Sequence, residues 1–396
     1  MQRRKINWFV EISKEIYILL VSFTSHILAP FCQPKKIVYL MSFPRNNNDF
    51  IQRMVSEINE IDVTIVYTKN CYFEAKKLKK TCHVAIVPLN EFNPQFFKAI
   101  KEIVCGKVII CDNYFAILGG IHLSKEATVI QLWHANGAIK HFGWENPQTL
   151  QRSFLSKKRF QKVYDRIDKY VVGSSRMAGV FERSYKAKPE QMLPLGYPRS
   201  DIYSHTEKVN KSKQQMIEKF PQLKGKQVIL CMPTYRENKS EVYPLDIEEL
   251  YREFGKTHVL IMQLHPHMRS PVLTHSYPEF LIERINDVST ADLLSVADIL
   301  ITDYSSVFFD YTLLKQKGKS IFYCYDLLDY ANEIGIQKEF FNVIPGLNCN
   351  TSKEVAWLIA HGEYRDFTEF NSLWNTYNDG HGTDRLIQYV SEIIRA

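Results

Sequence analysis

The segment ADILITDYSSVFFD, residues 297–310, contains an apolar run, a hydroxyl-rich turn and a second apolar run. The first run has the length of a buried strand and the second that of a helix start, so the segment predicts a strand, a turn and a helix. Ser305 or Ser306 is suited to cap the helix. Unpaired backbone N–H groups and the helix dipole favour an anion there. Thr302 and Asp303 lie beside the serines, and we expect all four residues to contribute to binding a phosphate group.

The same alternation of short apolar strands and amphipathic helices extends in both directions from this segment. Strands are predicted at residues 36–43, 62–67, 83–88, 107–111, 128–133, 169–173, 227–232, 258–264, 299–302 and 319–324. Helices are predicted at residues 50–60, 94–104, 247–254, 290–297 and 307–314. Near-continuous apolar strands separated by helices indicate parallel sheets covered on both faces.

The chain of 396 residues is long enough for two such domains. We predict an α/β fold of two Rossmann-like domains facing a central cleft. We expect residues 1–34 to form an N-terminal helical segment, 35–168 an acceptor domain and 169–396 a second domain, with the last helix packing back on the acceptor domain. Ligands of open α/β sheets bind beyond the carboxyl ends of the strands, so the strand ends are the candidate site.

Two histidines follow predicted strands. His134 ends the run at 128–133 and precedes Asn136 and Gly137, which both tolerate positive φ. We expect Asn136 and Gly137 to contact the substrate. An imidazole at a strand end is suited to remove a proton from an attacking hydroxyl. His265 ends the run at 258–264, where it would donate a hydrogen bond to a phosphate or protonate a leaving group. A structural histidine bonded to a loop is the alternative for both.

Four further residues join the candidate site. Arg199 lies in the turn LGYPRSD, and Arg236 follows the strand predicted at 227–232. Asp379 and Arg385 lie in DGHGTDR, a glycine-rich loop that opens a helix. Because an arginine in the first turns opposes the helix dipole, Arg385 is expected to serve a phosphate. A solvated surface arginine is the alternative reading for each of the three.

The net charge of +7 and the pI near 8.8 favour anionic partners. Residues 148–169 are predicted to form a basic helix with Lys157, Lys158, Arg159 and Lys162 near one side. The sequence has no known nucleic-acid motif, so nucleic acid is not an expected partner.

The N-terminus combines Arg3, Arg4 and Lys5 with an apolar stretch at 16–32. That stretch is slightly short for a spanning helix, which needs about 20 apolar residues, and no clean signal-peptide cleavage site follows it. We expect a helix that lies in the membrane interface. A helix buried in the core is the alternative.

Several chemistries are disfavoured by missing motifs. There is no GxGxxG after the first strand, no GxxxxGK[ST] and no GxSxG. No cofactor and no metal site are expected. The eight cysteines are expected to be reduced, as in a cytosolic protein: Cys32, Cys71, Cys82, Cys105, Cys111, Cys231, Cys324 and Cys349.

Five strings together resemble the CDP-glycerol glycerophosphotransferases of teichoic acid synthesis: WHANGAIKHFG (133–143), LGYPRSD (195–201), QLHPH (263–267), ADILITDYSSVFFD (297–310) and DGHGTDR (379–385). The resemblance implies a GT-B-like fold at the cytoplasmic face of a Gram-positive cell membrane. It implies that His134 and His265 are essential, and that the diphosphate is bound by the turn at 302–306 and by Arg385.

The resemblance also implies a reaction. Polymerising members carry a WHGTP form of the first string, whereas WHANG and the lack of a long N-terminal extension resemble the priming members. These transfer sn-glycerol 3-phosphate from CDP-glycerol to the ManNAc-GlcNAc disaccharide of an undecaprenyl diphosphate lipid and release CMP. The implied partners are CDP-glycerol, that lipid, the membrane surface and a teichoic acid synthesis complex. The alternatives are a glycerol or ribitol phosphate polymerase, a nucleotide-sugar glycosyltransferase and a non-enzymatic binding module.

Overall fold

A computed structural model describes residues 8–91, 93–234, 236, 242–264, 268, 271, 276–283, 285–338, 340 and 346–396. Its strands are β1 Lys36–Met41, β2 Val63–Tyr67, β3 Ala85–Pro88, β4 Gly106–Cys111, β5 Thr128–Gln131, β6 Lys169–Val171, β7 Met192–Leu193, β8 Gln227–Cys231, β9 His258–Met262, β10 Leu281–Glu283, β11 Ile299–Thr302, β12 Lys317–Tyr323, β13 Leu347–Cys349 and β14 Arg365–Asp366.

Helices cover most of the segments between the strands. They are α1 Trp8–Leu28, α2 Asn48–Glu57, α3 Tyr72–Cys82, α4 Gln95–Val104, α5 Pro147–Leu150, α6 Phe154–Tyr164, α7 Ser175–Tyr185, α8 Thr206–Lys219, α9 Ile247–Phe254, α10 Thr290–Val296, α11 Val307–Leu314, α12 Leu327–Glu333, α13 Ser352–His361, α14 Thr368–Trp374 and α15 Gly382–Arg395. The ten predicted strands and the five helices predicted between them all correspond to observed elements, with ends shifted by at most a few residues. The basic helix predicted at 148–169 is observed as two helices, α5 and α6.

The chain divides into two compact units. Unit 1 comprises Met1–His134, His141–Arg199 and Tyr377–Ala396, and unit 2 comprises Ala135–Lys140 and Ser200–Thr376. Each unit is built around its own mainly parallel sheet, which confirms the α/β class with parallel sheets.

The sheet of unit 1 has the order β3-β2-β1-β4-β5-β6-β7, and its described ladders are all parallel. It begins with the doubly wound order 3-2-1-4-5. Lys169–Val171 pairs with β5 and so extends the first sheet instead of starting the second. The predicted boundary at 168/169 is therefore wrong, and the chain enters the main part of unit 2 after Arg199.

The sheet of unit 2 has the order β10-β9-β8-β11-β12-β13, with β14 antiparallel to β12. This is again the doubly wound order, in which β8 and β11 flank the topological switch point. The last helix, α15, packs against β4 and α2 of unit 1. The strand ends after β8, β11 and β12 therefore form the candidate ligand edge of unit 2.

Helix α1 turns its acidic residues towards the protein. Glu11 and Glu15 pair with Arg159 of α6, at 2.8 and 2.6 Å, and Ser153 donates to Glu11 at 2.7 Å. Although burial acts to raise it, the bonds from Ser153 and Arg159 hold the pKa of Glu11 below its usual value. Arg159 is buried against α1, so its charge is neutralised by Glu11 and Glu15 and does not add to that of the lysines predicted beside it.

The opposite side of α1 exposes an apolar stripe. Its exposed residues include Trp8, Phe9, Ile12, Ile16, Leu19, Leu20, Phe23 and Ile27, which recur at helical spacing. A soluble core helix shows the reverse arrangement. The alternative of a helix buried in the core is therefore wrong. By length and composition, Trp8–Phe31 is also apolar enough to cross a membrane, but the pairing of Glu11 and Glu15 with α6 favours a helix lying flat on unit 1.

The cysteines differ from expectation at one pair. Cys32 and Cys105 form a disulfide that joins the segment after α1 to the end of α4. The prediction that all eight cysteines are reduced is wrong for these two, since residues 73 positions apart cannot be recognised as neighbours from spacing. The other six cysteines are free thiols.

Candidate functional site

His134 lies beyond the end of β5, between two aromatic rings of unit 1. Its imidazole stacks on Phe43 with centroids 4.2 Å apart and an interplanar angle of 5°, and it contacts Trp133 at 4.3 Å. Trp133 has a φ of 63°, a conformation that bulky residues rarely adopt. Packing of Trp133 against Phe142 and Phe181 holds this strained backbone. The half-buried imidazole is thus fixed in orientation.

Asp112 fixes the loop that carries Phe43. This carboxylate, fully buried at the end of β4, accepts hydrogen bonds from the N–H groups of Ser42 and Phe43 and from the Ser42 hydroxyl, at 2.8–3.0 Å. Burial raises the pKa of Asp112 to about 6, and these hydrogen bonds oppose the rise. Sequence analysis missed this residue, although an aspartate directly after an apolar strand was a signal for it.

Arg199 contacts the same region, because its Nε donates to Oδ1 of Asn46 at 2.7 Å in the loop after β1. His134, Phe43, Asp112 and Arg199 therefore gather beyond the carboxyl ends of β1, β4 and β5. The role of Arg199 in binding substrate stays a prediction.

Arg385 and Asp379 form a second cluster of unit 1. Arg385 donates two hydrogen bonds to the Asp379 carboxylate, at 2.7 and 2.9 Å, and others to the carbonyls of Leu195 and Tyr377. The bond from Arg385 lowers the pKa of Asp379 to about 2. Arg385 thus ties the loop at Leu195 to the glycine-rich loop at 378–382, and its contact with a diphosphate stays a prediction.

The residues directly after His134 pack into unit 2. Within Ala135–Lys140, the buried Asn136 donates from Nδ2 to Oδ1 of Asp310 at 2.6 Å. Gly137 has a φ of 64° and lies so close to the ring of Phe309 that any side chain would collide with it. Asn136 is therefore a positioning residue and not an exposed substrate ligand, which corrects its predicted role. Two peptide bonds connect it to His134.

We expect Asn136→Asp to destabilise unit 2, because it places a second carboxylate against the buried Asp310. Losing a hydrogen bond to a charged group costs about 1.5–3 kcal/mol of unfolding free energy, and repulsion adds to that loss. The double variant Asn136→Asp with Asp310→Asn reverses donor and acceptor and should recover most of it. Urea unfolding of the three proteins measures this coupling, and a double variant no more stable than the single one would contradict the pairing.

The hydroxyl-rich turn after β11 divides into an inner and an outer part. Thr302 is fully buried and donates its hydroxyl to the carbonyl of Met232 at 2.9 Å, so its predicted role as a phosphate donor is wrong. Ser305 and Ser306 are half-buried and precede α11, where the N–H of Val307 donates to the Ser305 hydroxyl at 3.4 Å and the N–H groups of Phe308 and Phe309 donate to the carbonyls of Ser305 and Ser306. The two hydroxyl groups keep their own hydrogens to donate. The serines are the part of the turn suited to bind an anion.

Arg236 and Asp303 form a buried ion cluster with Asp326. The guanidinium donates to Asp303 and Asp326, both at 2.8 Å. Asp303 also accepts a hydrogen bond from the backbone N–H of Thr234 at 2.8 Å. Burial acts to lower the pKa of Arg236, but Asp303 and Asp326 outweigh it and raise the pKa. The predicted contacts of Arg236 and Asp303 with substrate are therefore replaced by contacts with each other.

Aromatic rings surround this cluster. The Arg236 guanidinium lies 4.5–5.7 Å from the ring centroids of Tyr304, Tyr325 and Tyr330. Cation–π contact adds to the attraction of the two carboxylates. Sequence analysis missed Asp326, which follows β12, because nothing in its local sequence indicates a partner 90 positions away. The cluster connects the ends of β8, β11 and β12 beneath the serine turn.

His265 lies outside the described residues, so its predicted role has no structural counterpart here. Among the residues that the structure describes, no group of three or more His, Cys, Asp or Glu side chains is arranged to hold a metal ion.

Sequence comparisons found related proteins that match most of the chain. A sequence model of the family described as CDP-glycerol:poly(glycerophosphate) glycerophosphotransferase matches residues 23–392. The teichoic acid glycerol-phosphate primase of Bacillus subtilis (strain 168) is 32% identical over 96% of this chain and 97% of that protein. The teichoic acid poly(ribitol-phosphate) polymerase of Bacillus spizizenii is 30% identical over 72% of this chain and 46% of the polymerase.

The fold also has solved counterparts. A variant of the wall teichoic acid polymerase TagF superposes with a TM-score of 0.77 over 99% of this chain and 98% of that one, at 18% identity. At that identity the match supports the fold alone.

Proposed function

Since the chain belongs to the CDP-glycerol:poly(glycerophosphate) glycerophosphotransferase family, we propose that it transfers one glycerol phosphate from CDP-glycerol to a lipid-linked disaccharide and releases CMP. The chain is a transferase of teichoic acid synthesis. The priming assignment is carried by the 32% identity to a glycerol-phosphate primase, which covers nearly all of both chains. The proposal extends to a GT-B-like arrangement and to the ManNAc-GlcNAc diphosphoundecaprenol acceptor.

In the proposed reaction, His134 removes the proton from the acceptor hydroxyl. The hydroxyl oxygen attacks the phosphorus that carries glycerol, and the bond between that phosphorus and the bridging oxygen breaks. CMP leaves with the bridging oxygen. Ser305, Ser306 and the start of α11 stabilise charge on the diphosphate. His265 is proposed to assist the leaving phosphate.

The test is an assay of CMP release from CDP-glycerol with the lipid-linked disaccharide as acceptor, together with the mass of the product. We expect release that depends on the acceptor and a product larger by one glycerol phosphate. CMP release that is the same with and without the acceptor would overturn the proposal. Release of UDP from a nucleotide sugar supplied instead of CDP-glycerol would also overturn it.

A polymerase is the second candidate, favoured by the 30% identity to a polymerising relative. The same mass measurement separates the two functions, because a polymerase yields a ladder of products that lengthens with time.

We also propose that the exposed apolar stripe of α1 binds the cytoplasmic face of the cell membrane. The stripe is too large to be a scatter of single exposed residues. A helix with one apolar face inserts that face at the boundary between headgroups and hydrocarbon.

Replacing both Leu19 and Phe23 by glutamate should weaken binding to vesicles of anionic phospholipid at least about 100-fold. Burying a side chain of this size contributes about 1.5–3 kcal/mol, and both side chains are two-thirds exposed. Co-sedimentation with vesicles measures the effect. Leu328→Glu is the matched control, because Leu328 is 79% exposed but lies on α12 of unit 2. Equal binding by both variants would show that α1 is not the anchor.

A further inference from the structure

A cavity of about 390 Å³ lies between α1 and α4 of unit 1. Its lining consists of Thr24, Ile27, Leu28, Phe97, Lys98 and Lys101. The apolar side chains Ile27 and Phe97 are half-exposed, so the cavity opens on the same side of the unit as the apolar stripe of α1. Water is a poor occupant for such a surface, because the lining offers it few polar partners.

Two lysines line this cavity, and their ammonium groups form no ion pair among the described residues. Helix α4 buries Phe96, Ala99, Ile100, Ile103 and Val104 and directs its other face outward. Lys98 and Lys101 are one turn apart on that face and are exposed. Among the described residues, no carboxylate pairs with either ammonium group. The site therefore combines an apolar cavity with two unpaired positive charges.

We propose that this cavity binds the hydrocarbon chain of a single-chain lipid diphosphate, with its phosphate groups at Lys98 and Lys101. The lining covers about one turn of each helix, roughly 5–6 Å. This length leaves room for one hydrocarbon chain and not for the two acyl chains of a phospholipid. An isoprenoid diphosphate has this chemistry. The inference rests on the proposed function, in which the acceptor is a lipid of that class.

The probe is farnesyl diphosphate below its micelle concentration, titrated into the full chain without membranes and followed by calorimetry. We expect farnesyl diphosphate to bind at least about tenfold more tightly than inorganic diphosphate, because its hydrocarbon chain fills the cavity. Lys98→Glu with Lys101→Glu should weaken farnesyl diphosphate binding about tenfold or more. Ile27→Trp, which fills the cavity but keeps both lysines, should weaken it as well.

The matched control is Lys77→Glu with Lys80→Glu, which makes the same charge change on the exposed face of α3. The lysines of α3 do not line the cavity, and salt screens charges that are distant from the bound phosphates. The affinity of this variant for the probe should therefore change less than about twofold. Equal binding of inorganic diphosphate, equal binding of a short two-chain phosphatidylglycerol, or equal loss in the control variant would overturn the proposal. CMP release with a soluble disaccharide acceptor is measured on the same samples. It should be present in the native protein and unchanged in Lys77→Glu with Lys80→Glu, so failure of the enzymatic proposal would show there independently.

Discussion

Replacing His134 by alanine should lower the rate of CMP release from CDP-glycerol by about 10²–10⁴-fold, the usual loss on removal of a general base. The acceptor hydroxyl must lose its proton as it attacks phosphorus, and alanine cannot accept it. The stack on Phe43 and the contact with Trp133 fix the plane of the imidazole, so a water molecule in the space left by the ring would not be similarly oriented. Turnover measured with saturating CDP-glycerol and acceptor tests this expectation.

Binding separates the role of a base from that of a substrate ligand. Calorimetric affinity of His134→Ala for CDP-glycerol should stay within a few-fold of the native value, because an interaction made only in the transition state does not contribute to ground-state binding. His361→Ala, at the exposed end of α13, is the matched control and should retain native turnover. A fully active His134→Ala enzyme would end the assignment, and a large loss of CDP-glycerol affinity would make His134 a substrate ligand instead.

Ten of the fourteen described strands were predictable, because a buried parallel strand is a short apolar run. Ile299–Thr302 and Val307–Leu314 were predicted to the residue, since a strand, a hydroxyl-rich turn and a largely buried helix follow without interruption. The boundary between the two units was not predictable from the sequence. Lys169–Val171 and Met192–Leu193 are strands of three and two residues, too short to show which sheet they join.

The candidate site was predictable in its positions but not in its pairings. Strand-end location singled out Arg236, and charge placed Arg159 in a predicted basic helix, yet a sequence does not show which carboxylate each arginine meets. The partners of Arg236 lie 67 and 90 positions away, and those of Arg159 lie 144 and 148 positions away. Burial of these pairs gives both arginines the role of holding secondary structure elements together. For the same reason Asp326 could not be recognised from the sequence.

The buried cluster of Arg236, Asp303 and Asp326 makes the stability of unit 2 sensitive to substitution of any of the three residues. Both carboxylates are more than 90% buried and face the same guanidinium. Such a cluster adds little net stability compared with an apolar core, because desolvation offsets the attraction. Stability depends much more on having all three members present, since removing the cation leaves two buried negative charges that hydrogen bonds from Thr234 and Tyr304 offset only in part.

Arg236→Ala should therefore lower the free energy of unfolding of unit 2 by about 3–5 kcal/mol, a large part of the 5–15 kcal/mol typical of a domain. Hydrogen exchange of the amides in β8, β11 and β12 measures this loss locally, without assuming that the two units unfold together. Arg53→Ala is the matched control: its exposed pairs with Glu57 and Asp384, both at 2.7 Å, should contribute at most about 1 kcal/mol. Protection in Arg236→Ala equal to that in Arg53→Ala, combined with a raised KM for CDP-glycerol, would mean that Arg236 binds the diphosphate instead. Arg236→Lys keeps the charge but loses the two-pronged geometry and should fall between the native protein and Arg236→Ala.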